Sequence, residues 1–127
     1  MSQSGSMHPS VAEGIRLINS GRFFEAHEAL ESLWLQVHGD DKLFLHGLIQ
    51  VAAAFHHYQR DNLHGFALLL QKGSAKLMRF PESRFGLDMQ NLLTQLRPWL
   101  NAAHASTPPA ALALPIIQFS RGLPQSP

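Results

Sequence analysis

The sequence predicts an all-α fold: a compact bundle of about five helices followed by an extended C-terminal tail. Three observations predict it. Apolar residues recur at helical spacing in five segments, each bounded by glycine, proline, aspartate or asparagine. No segment alternates polar and apolar residues between turn residues as the strands of a hairpin do. The third segment is apolar on nearly every side, the mark of a helix at the centre of its fold.

The elements follow in order. Residues 1–9 read as a disordered leader without the basic start and apolar core of a secretory signal. The first helix begins at Ser10, where Ser10 and Glu13 form a capping-box pattern, and stops at Gly21. A second runs from Arg22 to Val37 and ends at His38-Gly39. Asp40 or Asp41 caps a third, from Lys42 to Arg60. Asp61-Asn62 breaks the chain and caps a fourth, from Leu63 to Arg79, which Pro81 prevents from continuing. Asp88 caps a fifth through Leu100, with a kink or restart at Pro98. The helical domain thus covers residues 10–104. Residues 105–127 form an extended, partly disordered tail, of which Leu114 to Phe119 packs on the bundle.

Composition narrows the function. At 127 residues and 45% apolar content the chain can bury one core. A net charge of +1 shows no basic stripe for nucleic acid, so no nucleic-acid partner is expected. No run of about 18 apolar residues is present to span a membrane. With no cysteine, disulfides, zinc ribbons and thiol catalysis are excluded. The expected compartment is the cytoplasm, and a homodimer is the default assembly. Histidine is abundant: eight in 127 residues.

Histidine also marks the candidate site. On a wheel of the second helix, Phe23, Ala26, Ala29, Leu30, Leu33, Trp34 and Val37 form an apolar arc. His27 falls at about 40° and Glu31 at about 80°, inside that arc, with Glu25 and Ser32 outside and Glu28 at its border. A carboxylate there needs a partner, since an unpaired buried charge is costly. On the third helix His46, Gln50 and His57 share one stripe with Ala53, while His56 points about 100° away. The simplest arrangement turns this stripe towards His27 and Glu31.

The stretch from Asn19 to Trp34, with Ala26-His27-Glu28 at its core, and the stretch from Gly47 to His57 resemble the domain of unknown function 309 family of bacterial and archaeal proteins. The similarity covers about Val11 to Leu100, and Leu114-Pro115-Ile116-Ile117 looks like the family's closing segment. The resemblance implies a compact helical bundle and a description as a predicted metal-dependent hydrolase. By motif match it carries over Glu25, His27, Glu28, Glu31, Trp34, Gln50, His57, Asn62 and Gly65. Asp61 stands where the family usually has glycine and Phe66 where it usually has alanine; His46 and His56 are particular to this chain.

Three readings stay open. In the first, His27, Glu28, Glu31 and His57 are catalytic, Gln50, His46, Trp34 and Glu25 bind, and a divalent metal ion held by His27, Glu31 and His57 activates water for hydrolysis of a small-molecule substrate. The spacing is neither His-Glu-x-x-His nor the paired Glu-x-x-His of di-iron bundles. In the second, His27, Glu31, Gln50 and His57 satisfy one another as a structural hydrogen-bond network. In the third, the chain is a non-enzymatic interaction or scaffold domain, its first two helices resembling a helical-repeat unit.

Overall fold

The computed structural model describes residues 8–105 and 112–120. Among them are five α-helices: α1 (Pro9–Asn19), α2 (Phe23–Trp34), α3 (Gly39–Gln59), α4 (Leu63–Leu77) and α5 (Met89–His104). None is long and apolar enough to cross a membrane.

The chain's punctuation explains the boundaries. Pro9 opens α1 because its ring presets a helical φ and its missing N–H is one a first turn leaves unbonded. The His8 Nδ1 then accepts from the Ser10 backbone N–H at 3.1 Å. The cap expected at Ser10 therefore moves to His8, and Glu13 pairs with Arg16 at 2.6 Å instead of closing a capping box. Helix α1 thus takes in Pro9, which the sequence assigned to the leader; residues 1–7 lie outside the described residues. Gly21 (φ +76°) turns the chain into α2. Gly39 (φ +63°) opens α3, which starts before the expected Lys42 and places Asp40 and Asp41 in its first turn, where the helix dipole favours carboxylates. The turn into α4 puts Asp61 at φ +60°, a left-handed conformation that costs glycine least. The Asn62 Oδ1 caps α4 by accepting from the Gly65 N–H at 3.0 Å, and the Asp88 Oδ1 caps α5 by accepting from the Asn91 N–H at 3.1 Å.

Pro98 does not restart α5. The helix runs through it to His104. Proline removes the donor for the Thr94 carbonyl, but both residues are exposed, so water can replace it.

Each helix packs on the next in sequence, and α3, between α2 and α4, is the most enclosed. Phe55 of α3 lies 5.5 Å from Phe23 of α2, 5.5 Å from Phe66 of α4 and 4.9 Å from Trp99 of α5, ring centre to ring centre. Helices α3 and α4 meet almost backbone to backbone: a Cβ on Gly73 would lie 2.8 Å from the Gly47 carbonyl oxygen and 2.9 Å from the Val51 nitrogen.

Residues 112–120 run over α1 and α5 as extended chain. The Asn19 side-chain amide bonds both the N–H and the carbonyl of Ile117, at 2.7 and 2.9 Å, and Gln95 does the same for Ile116, at 2.9 and 2.7 Å. Ile117 is buried between them. Antiparallel bridges join Leu87 to Arg84 and to Phe119. The remaining stretches of the predicted tail, 106–111 and 121–127, lie outside the described residues.

The Gly73 contact cannot relax by a side-chain rotation, because its neighbours are backbone atoms. Gly73→Ala is expected to lower unfolding stability in urea by about 1–3 kcal/mol, the range for overpacking a tight interior.

Candidate functional site

With Phe55 turned into the core, helical geometry places His46, Gln50, Ala53 and His57 on the opposite side of α3. All four are half-buried. They form the floor of a furrow between α2 and α4. One wall is the α2 stripe Phe24, His27, Glu31 and Trp34; the other includes Gly65 and Lys76 of α4. Helices α2 and α3 run antiparallel, so Trp34 meets His46 (ring centres 5.6 Å apart) at one end and Phe24 meets His56 (5.4 Å) at the other.

The Phe24 end is a hollow of about 190 Å³ lined by Phe24, His27, Ala53, His56 and His57. Phe24 stacks beside His27 at 6.2 Å and is half exposed, an apolar rim on a hollow whose polar groups are imidazoles. His57 is anchored from behind. The Asn62 Nδ2 lies 3.1 Å from the His57 Nδ1, while the Asn62 Oδ1 is committed to the Gly65 N–H. An amide nitrogen only donates, so the His57 Nδ1 must accept, and its proton sits on Nε2. Gly65 keeps this arrangement open: a Cβ there would lie 2.8 Å from the Asn62 Nδ2 and 3.1 Å from the His57 Cγ. The His27 Nδ1 is buried without a hydrogen-bond partner.

Several expectations need correction. Glu31 is exposed, not buried in the apolar arc. Among the described residues helix α2 packs mainly against α1 and α3, so the side of its wheel that carries Glu31 edges an open furrow. Glu28 is exposed as well. Gln50 does not face His27; its Oε1 accepts from the Lys76 Nζ of α4 at 2.8 Å. The mutual network of His27, Glu31, Gln50 and His57 therefore does not form. No group of three or more His, Asp or Glu side chains among the described residues is disposed to hold a metal ion. His56, expected to point elsewhere, joins the histidine hollow, because that hollow spans the α2–α3 groove and takes in residues about 100° apart on α3. Glu25 is an exposed residue whose carboxyl lies below its usual range, held there by a hydrogen bond from its own backbone N–H and by Arg22 at 3.1 Å.

The Trp34 end is a hollow of about 310 Å³ lined by Trp34, Gly39, Lys42, Leu43 and His46. The Lys42 ammonium sits 4.2 Å over the Trp34 ring. Trp34 is partly buried against the core, and its indole Nε1 has no acceptor. Burial, and then the charge of Lys76, holds the His46 imidazole below the usual histidine range. Lys42 and Lys76 were not legible as site residues, since a lone lysine on a helix ordinarily signals solvent.

Residues 11–69 match the sequence profile of the family described as Domain of unknown function (DUF309). The chain is similar to that family over these residues. A relative, an uncharacterised protein of Aquifex aeolicus (strain VF5), is 27% identical over 92 residues, a match covering 72% of this chain and 28% of that protein. The chain thus spans little more than a quarter of this relative's length. The DUF309 stretch reaches from α1 into α4 and includes the furrow's floor, its α2 wall, Asn62 and Gly65; Lys76, α5 and the tail lie beyond it.

Asn62→Ala is expected to remove the α4 cap at a cost of about 1–2 kcal/mol. It should also release the His57 tautomer, read as a mixture of Nδ1–H and Nε2–H forms in imidazole ¹⁵N shifts. Because the His27 Nδ1 is unsatisfied, His27→Leu should leave stability unchanged or raise it by about 1 kcal/mol, measured by thermal unfolding.

Proposed function

We propose that the protein is a non-enzymatic helical binding domain whose ligand site is the histidine hollow between α2 and α3. The observation that carries this reading is the anchoring of His57. Asn62 presents it as a fixed Nε2–H donor in a hollow shared with His27, His56 and the exposed ring of Phe24. Fixing a donor's direction in advance is what a binding site requires. The ligand that suits this lining has an apolar portion for Phe24 and Ala53 and a hydrogen-bond acceptor for His57. Glu28 and Glu31, the carboxylates that the hydrolase reading would use, are both exposed.

Two measurements decide between them. A fragment screen by ¹H–¹⁵N and imidazole NMR should give ligands that shift Phe24, His27, His56 and His57 together, and His57→Phe should weaken their binding at least tenfold. Ligands that ignore this hollow would overturn the proposal. So would stoichiometric zinc or manganese binding with ester or phosphoester hydrolysis that chelation and Glu31→Gln both abolish.

A further inference from the structure

The Trp34 end of the furrow shares no lining residue with the histidine hollow and lies about 16 Å from it along α3. Its polar groups have one property in common: they can donate hydrogen bonds, and none is matched with a carboxylate. The Trp34 Nε1–H is a donor only, buried and without an acceptor. The Lys42 ammonium rests on the face of the same indole. The His46 ring stands beside it at 5.6 Å, and the Lys76 ammonium, bonded to Gln50, adds positive charge from α4. Among the described residues no ion pair joins the nearby acids to these donors. Asp41 accepts from Arg84 at 2.6 Å, and Asp40 lines a separate hollow with Arg79 and Arg84. Glu31, one turn before Trp34, is exposed.

We propose that Trp34, Lys42 and His46 form an oxyanion site that takes the carboxylate or phosphate group of a ligand. Lys42 supplies the charge, the Trp34 indole N–H and the His46 ring supply directed hydrogen bonds, and Lys76 biases the local potential towards anions. A cation–π contact explains the position of Lys42 but leaves the indole N–H unpaired; an oxyanion satisfies both. It would also offset the two effects that disfavour the His46 imidazolium, so His46 should protonate at higher pH when the site is filled. The site stands independently of the histidine hollow, and neither result decides the other.

The test is titration of the full chain with inorganic phosphate and, separately, with acetate, at ionic strength held constant with chloride. The readouts are the two indole N–H resonances and the His46 titration curve. The Trp34 resonance should move saturably while that of Trp99, buried in the core and bonded to the Ala113 carbonyl, stays still. The His46 titration should move to higher pH. Saturation by phosphate alone assigns a phosphate-bearing ligand; saturation by acetate alone assigns a carboxylate. Lys42→Gln should weaken binding at least tenfold, Lys42→Arg should retain it, and Arg97→Gln on α5 should change it less than twofold. An unmoved Trp34 resonance with both anions, equal movement of both indoles, or full binding by Lys42→Gln would each overturn the proposal.

Discussion

The rings around Phe55 set the rotation of α3, and the remaining architecture depends on that rotation. Phe23, Phe66 and Trp99 approach Phe55 from three different helices, mostly tilted or edge-on, arrangements that aromatic quadrupoles favour. A helix held this way cannot turn without separating several ring pairs at once. Since Phe55 points inward, the polar stripe of the same helix must point outward, between α2 and α4. The close approach at Gly47 and Gly73 then holds α4 near enough for Lys76 to reach Gln50. The furrow is thus a consequence of how the core is packed.

The same rotation divides the furrow chemically. Its floor holds His46, Gln50, Ala53 and His57, each half-buried. At that depth a polar group keeps some access to water but loses enough solvation for its neighbours to matter. Lysines dominate the Trp34 end and imidazoles the Phe24 end, with the Gln50–Lys76 bond between them. Electrostatic character therefore changes along one groove without any change of backbone.

What could be read from the sequence follows the range of each interaction. Gly21, Asn62 and Asp88 were legible as helix ends because capping and left-handed turns act over a few residues. The centrality of α3 was legible because enclosure leaves an apolar pattern on all sides of one helix. Glu31 was misplaced because a wheel shows which residues share a face and cannot show whether a neighbouring helix covers it. His56 was set aside for the related reason that a groove between helices accepts a wider angle than one stripe. His8 displaced Ser10 as a cap because Pro9, read as part of the leader, is an excellent first residue of a helix. His27 and His57 were found together, but Asn62 was read as a turn and cap residue and carried over by motif match, not as the partner that positions His57.

The side-chain amide of Asn19 has a consequence for how the chain reaches this structure. Helices α1 to α4 pack as sequential neighbours, an order that favours rapid local assembly. The partner of Asn19, Ile117, is 98 residues away. Closing so long a loop carries an entropic cost that local contacts avoid. In a chain emerging from the ribosome, α1 can dock on α2 early, yet the Asn19 side chain meets its partner only when residues near 117 become free. The hydrogen bonds that Asn19 makes at the end of α1 are thus among the last to form.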